Sequence, residues 1–165
     1  MVKYRGTRLF AAAIERLLNE FDNLHITFAG DGPEEEFLKN KFQFKKNIEF
    51  ITYKSEDSLY IHADKHIAVI PTVGSEGTSL SLLEAMASTC AVICTNVGGM
   101  TNIVIDNFNG KMINPEEEQL YRALKEMIVN KEYRERMARE AHHTVQNGFS
   151  FDLWREKWKK ILLGC

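Results

Sequence analysis

Pro71-Thr-Val-Gly-Ser-Glu76-Gly-Thr-Ser-Leu80-Ser-Leu-Leu-Glu84 is the stretch around which the chain is organised. A short apolar run, His66-Ile-Ala-Val-Ile70, enters it, and a helical pattern from Leu80 to Ala87 leaves it. Between them lies a loop with Gly74, Gly77, several hydroxyl side chains and Glu76. A strand–loop–helix junction of this kind lies at the carboxyl end of a parallel sheet, where open α/β folds bind ligands. Free amides and the positive end of the helix dipole meet there, which suits an anion such as a diphosphate. A carboxylate only accepts hydrogen bonds, so Glu76 and Glu84 beside one pocket suit a ligand rich in hydroxyls, a sugar or a ribose. A plainer reading stands beside this one. Ser81-Leu-Leu-Glu84 fits a capping box, which would make Glu84 a helix-start residue, and Glu76 would be a surface carboxylate. The spacing matches neither a Walker loop nor a GxGxxG fingerprint.

The rest of the chain alternates continuous apolar runs with helical patterns. Strands are expected at 24–29, 47–52, 66–70, 91–95 and 110–113. Ala91-Val-Ile-Cys-Thr95 is apolar throughout, as in strands buried on both faces of a parallel sheet. Phe10, Ala13, Ile14, Leu17, Leu18 and Phe21 recur at helical spacing from Thr7, a candidate cap. Gly30-Asp-Gly-Pro33 turns into a helix whose first turn holds Glu34, Glu35 and Glu36, acids that favour the dipole. A short helix spans about 56–62, another about 101–105, and a longer one follows Asn114-Pro115 to about Val129. Two more are expected, at about 132–146 and after Ser150, the last with Trp154 and Trp158 on one face. The fold class is therefore α/β with a mainly parallel sheet and right-handed crossovers.

Length and composition add bounds. A chain of 165 residues is one domain by its size. Its 44% apolar and 27% charged residues are ordinary for a globular protein. The net charge of −2 gives no reason to expect nucleic acid. Cys90, Cys94 and Cys165 lie in no metal-ligand spacing, and the first two bracket an apolar strand as small core residues. No signal peptide opens the chain and no apolar run approaches the roughly 20 residues of a bilayer span, so it reads as cytoplasmic. His25 and His66 begin strands and read as structural. His142-His143 lie on a polar helix and read as solvated, without the spacing of a metal site.

Glu76 and Glu84 with seven residues between them, Gly77 after the first and Ala85-Met86-Ala87 after the second resemble the signature of the family 4 retaining glycosyltransferases. The likeness continues through Arg5-Gly6, Gly30-Asp-Gly-Pro33, Ala63-Asp64, Pro71-Thr72, Val97-Gly98-Gly99 and Asn109-Gly110, in the family's order and over nearly the whole chain. The resemblance implies a GT-B fold of two Rossmann-like domains, this chain being the C-terminal, donor-binding one over 1–165. It implies metal-independent transfer of a sugar, with retention, from a nucleoside diphosphate (UDP before GDP) to an acceptor held by an N-terminal domain. Arg5 would hold the leaving diphosphate. The amides of Gly77, Thr78, Ser79 and Leu80 would complete the cradle, Glu76 would bind donor-sugar hydroxyls, Glu84 the ribose, and Tyr53 would lie by the base. No cofactor and no metal are expected. The last helix, 151–163, would cross toward the N-terminal domain, and membrane association would come through that domain.

The resemblance also places a strand ahead of Met1, so the chain is expected to begin inside its fold, with that strand missing. Closure of the resulting gap, or borrowing from a second copy in a homodimer, is the expected remedy. Two departures stand out. The family has Gly and Pro where this chain has Thr89-Cys90, and an acid where it has Asn102. Two other readings remain: a sugar-nucleotide epimerase of the same fold, and a nucleotide-sugar-binding module without transfer.

Overall fold

The structure, a computed structural model, describes residues 1–164, the side chain of Ser55 excepted; Cys165 lies outside the described residues. Five strands, β1 (Ile26–Ala29), β2 (Ile48–Ile51), β3 (Ile67–Ile70), β4 (Ala91–Thr95) and β5 (Lys111–Ile113), alternate with helices α1 (Thr7–Leu17), α2 (Glu35–Lys41), α3 (Ser58–His62) and α4 (Leu80–Ala87). Three helices close the chain: α5 (Glu117–Val129), α6 (Lys131–Gly148) and α7 (Phe151–Leu163).

Every pairing is parallel. β1 pairs with β2 from Ile26↔Ile48 to Ala29↔Ile51. β4 lies between β3 and β5, with Ile67↔Ala91 and Ile93↔Lys111 in register. The alternation along β4 shows why its run is apolar throughout. Ala91 and Ile93 enter a core with Ile14, Leu17, Leu120 and Met127, which belong to α1 and α5. Val92 and Cys94 enter a second core with Leu82, Met86 and Ala141, from α4 and α6. Residues two apart share a face of a strand, so one strand serves both layers. Ile67 and Val69 join the first core while Ala68 and Ile70 join the second. The result is a three-layer α/β/α domain.

The single sheet of five strands is not what forms. β1–β2 and β3–β4–β5 are two ladders with no hydrogen bonds between them. The residues from Met1 to Gly6 run between their carboxyl ends. Met1 O accepts the Glu34 amide at 3.1 Å just beyond β1, and Tyr4 O accepts the amides of Val73 and Gly74 at 2.9 and 3.1 Å just beyond β3. Both ladders thus end on the same side of the domain, and among the described residues no strand pairs across from one to the other. Of the two expected remedies, closure by pairing within this chain is not what forms; borrowing from a second copy is a matter for the assembled protein. Phe28 links the halves from below, stacked on Phe50 at 5.2 Å and edge-on to Phe10 at 5.2 Å, in the core that also holds Ile67 and Val69.

Several boundaries differ from the sequence reading. Gly6, at φ +74, is the residue before α1, so Thr7 is its first helical residue rather than its cap; its hydroxyl points back to Val2 O. The helix expected near 101–105 is a 3-10 turn at Gly98–Asn102. His142 is not on a solvated face: its Nδ1 lies 2.8 Å from Ala87 O and fastens α6 to the end of α4. α7 carries no buried residue; Trp154 and Trp158 are 55% and 44% exposed, and the Trp154 ring lies against Phe151 and Trp158 of the same helix. Among the described residues no helix is long and apolar enough to cross a membrane.

Candidate functional site

The loop between β3 and α4 is held by its neighbours more than by its own bonds. The Gly6 carbonyl begins α1, and its α-carbon lies so near Pro71 that a Cβ would stand 1.8 Å from Pro71 O. On the other side a Cβ at Gly98, φ +58, would stand 1.9 Å from Glu76 O, and the Gly99 amide donates to that same oxygen at 3.1 Å. A Cβ at Gly99 would meet Gly77 O at 2.6 Å. The double glycine is thus a wall against which the Glu76–Gly77 backbone lies, and only glycine leaves the room.

Glu76 is carried by this braced loop with its side chain only 7% exposed. Arg5 Nη1 donates to Glu76 Oε2, and the Thr72 hydroxyl donates to the same oxygen at 3.1 Å. Arg5 itself is 48% exposed, with its guanidinium 5.6 Å from the Tyr4 ring centre. Thr72 is buried, 1% exposed, and its carbonyl accepts from the buried Thr95 hydroxyl at 2.5 Å. The sequence reading named Thr72 only within the Pro71-Thr72 likeness and Thr95 only as a strand residue, and gave neither a role. A hydroxyl in the fully apolar run of β4 was the available signal, because a buried hydroxyl requires a partner.

α4 begins where Ser79 caps it. The Ser79 hydroxyl accepts the Leu82 amide at 3.4 Å and its carbonyl accepts the Leu83 amide at 3.2 Å. The amides of Thr78, Ser79 and Leu80 precede those and are not used by the cap, as at any helix start. Ser79 is the cap and Ser81 is not, so the capping-box reading of Glu84 is overturned. Glu84 lies further along the helix, half-buried, one turn beyond the exposed Leu80. It lies close enough to His62 on α3 to favour that ring's protonated form. Burial outweighs this and holds the His62 pKa below its ordinary value, and its buried Nε2 has no hydrogen-bond partner among the described residues.

The structure therefore brings Arg5, Glu76, Gly77 and the start of α4 together. Tyr53 is half-buried just after β2, and among the described residues no hydrogen bond joins it to them. Asn102, at the end of the 3-10 turn, is exposed. Burial pushes the Cys90 thiol up to about 11 and that of Cys94 up to about 12, so both are inert core groups. No three His, Cys, Asp or Glu side chains among the described residues converge as metal ligands do. Asn109, buried in the sequence's Asn109-Gly110 turn, donates to Ile103 O and Thr144 Oγ1 and accepts from the Ile105 amide, which is a structural role.

Comparison with known proteins gives the chain its relatives. The family described as "Glycosyl transferases group 1" matches residues 1–144. An uncharacterized glycosyltransferase of Methanocaldococcus jannaschii, MJ1178, is 30% identical over 159 residues, which are 92% of this chain and 42% of that protein. The chain thus spans well under half the length of that relative. Among solved structures, the C-terminal domain of the group 1 glycosyl transferase LpcC of Francisella tularensis superposes with a TM-score of 0.81 at 26% identity, over 92% of this chain and 83% of that one. Anabaena HepE, solved in complex with UDP-glucose, superposes with a TM-score of 0.86 at 15% identity, over 100% of this chain and 47% of that one. The fold is that of the C-terminal domain of GT-B glycosyltransferases.

Proposed function

The chain belongs to the glycosyl transferases group 1 family, and from that premise we propose that it is the donor-binding half of a two-domain transferase. In this reading it holds a nucleoside diphosphate sugar, UDP-linked before GDP-linked, for retaining transfer without a metal ion or other cofactor. The acceptor site belongs to an N-terminal domain of the full-length protein, toward which α7 crosses, and the reaction is cytoplasmic.

One observation carries this reading: Arg5 and Glu76 meet at the start of α4. A departing diphosphate gains charge as the glycosidic bond breaks, and fixed donors aimed at it stabilise that change. Arg5 offers a planar fork of N–H groups, which holds phosphate oxygens in pairs. The first amides of α4 add donors and the helix's positive end. Glu76 accepts from hydroxyls of the donor sugar, and Glu84 from the ribose. In the free domain Arg5 and Glu76 satisfy one another. A sugar nucleotide has both complements, an anion for Arg5 and hydroxyls for Glu76, so it exchanges one ion pair for two contacts. The UDP-glucose bound to HepE is a ligand of this chemical kind. Tyr53 would approach the base from the end of β2.

The test is an NMR titration of the domain with UDP, GDP and UDP-glucose. Shifts at residues 76–80 and at Arg5, larger for UDP than for GDP, are expected. Shifts confined to the hollow lined by Asn130, Tyr133, Arg136 and Arg139 on α6 would overturn the reading.

A further inference from the structure

We infer that Thr72 is a positioning residue, one that fixes the carboxylate of Glu76 when Arg5 has left it. The inference rests on the reading of Glu76 as the sugar-binding acid.

Three observations lead to it. Arg5 and Thr72 both donate to the same oxygen of Glu76, Oε2. Among the described residues no side chain donates to Oε1, which leaves that oxygen able to accept. Second, the two donors differ in kind. Arg5 is half-exposed and on the short turn Lys3–Arg5, open to solvent. Thr72 is 1% exposed and has no access to a ligand. Third, Thr72 is itself held. The β3–β4 ladder ends at Ile70↔Cys94. One residue further along β4, the Thr95 hydroxyl, 0% exposed, donates to Thr72 O at 2.5 Å. A side-chain bond thus extends the ladder past its last rung, into the backbone that carries the Thr72 hydroxyl.

The consequence is a division of labour at one carboxylate. In the free domain two donors hold Glu76. When a diphosphate draws Arg5 away, a flexible glutamate held by nothing else would have to be ordered by the ligand, at a cost in side-chain entropy. Thr72 removes that cost. It is β-branched and stiff at χ1, so its hydroxyl stays aimed at Oε2. Oε1 then meets the sugar from a fixed place. Thr72 touches neither phosphate nor base, so its effect falls on the sugar and leaves the nucleotide alone.

The experiment compares Thr72→Val, which keeps the shape and loses the hydroxyl, with Thr72→Ser, which restores it. Affinities for UDP, UDP-glucose, UDP-N-acetylglucosamine, GDP and GDP-mannose are measured by NMR titration. In the wild type, the matching sugar nucleotide binds more tightly than its free nucleotide. In Thr72→Val that advantage falls about tenfold, the worth of one hydrogen bond to a charged group, while affinity for the free nucleotide stays within about twofold. Thr72→Ser regains it. A Thr72→Val variant that keeps the full sugar advantage overturns the proposal and leaves the sugar reading standing. A wild type that prefers no sugar nucleotide over its nucleotide overturns the sugar reading, and the proposal with it. Should Thr72→Val not fold, relaxation of the Glu76 side-chain carbons in the wild type decides: they stay rigid when saturating UDP is added, and a gain in mobility there overturns the proposal.

Discussion

Arg5 and Glu76, 71 residues apart in sequence, are joined in an ion pair at the carboxyl end of the sheet, and the Glu76 partner is the buried member. The pair makes two substitutions behave differently. Arg5→Ala removes the diphosphate's cation and is expected to weaken UDP binding by about tenfold, the scale of a charge-assisted hydrogen bond. Glu76→Gln releases Arg5 from its internal partner and is expected to leave UDP affinity equal or higher, while the added affinity of a sugar nucleotide is lost. Calorimetry with UDP and UDP-glucose on both variants checks this. Weaker UDP binding in Glu76→Gln would mean that the pair acts as a scaffold.

Ser79, and not Ser81 with Glu84, caps α4. Ser79→Ala removes the cap and is expected to cost about 1 kcal/mol of stability. Glu84→Ala is expected to cost less, because Glu84 takes no part in the cap, and to lower UDP affinity through the ribose contact. Thermal melts and UDP titrations on the two variants separate the effects. A large loss of stability in Glu84→Ala with unchanged UDP affinity would reverse the assignment.

Thr89 holds φ +63, a left-handed conformation that a β-branched residue adopts at a cost of roughly 1–2 kcal/mol. It is exposed, in the turn between α4 and β4. Thr89→Gly is therefore expected to raise stability by about 1 kcal/mol without touching the ligand loop, as read by urea unfolding. A loss of stability would mean that the threonine side chain makes up for the strain.

The legible and illegible parts of the sequence divide by range. The β4 run read correctly as a doubly buried strand, because burial on both faces leaves a continuous apolar pattern that needs no partner to recognise. The caps at Asn130 and Ser150 sit three residues from the amides they bind, and such local chemistry was in reach. Ser79 was missed because two serines compete two residues apart, and only the geometry of the loop decides between them. The bond from Thr95 to Thr72 spans 23 residues and the Gly98 contact with Glu76 spans the α4–β4 unit, so neither leaves a periodic mark. The division of the sheet was not read either, since an apolar pattern records burial and not which edge a strand pairs with.

His62 makes stability depend on pH in a definite direction. Its folded pKa lies below the ordinary 6.5, chiefly through burial, with Glu84 opposing and Lys65 assisting. The unfolded chain thus binds a proton that the folded one resists. Stability is full above the unfolded value and falls as pH drops below about 6.5. The carboxylates of Glu20, Glu34 and Glu118, held below their ordinary 4.5 by their cationic partners, lose their contributions only at lower pH. Urea midpoints between pH 7.5 and 5.5 should fall for the wild type and stay nearly level for His62→Gln. Equal slopes would place the dependence elsewhere.

The last prediction is that this chain alone binds a donor and transfers no sugar at a useful rate. In the proposed reading Arg5, Glu76 and the first amides of α4 form one wall of a site. Transfer requires donor and acceptor held at near-attack distance in a cleft closed to water, and positioning of that kind contributes about 7–11 kcal/mol to lowering a barrier. One wall does not supply it. α7 stands with Trp154, Trp158, Ile161 and Leu162 exposed. Affinity should be weak, in the micromolar-to-millimolar range, since no second domain closes over the ligand. Two assays on one preparation decide: NMR titration with UDP and UDP-glucose, and product detection with a donor and a panel of acceptors. Binding without product is the expected result. Sustained multi-turnover transfer by the isolated chain would defeat the half-enzyme reading, and a folded sample blind to every nucleotide would defeat the donor site itself.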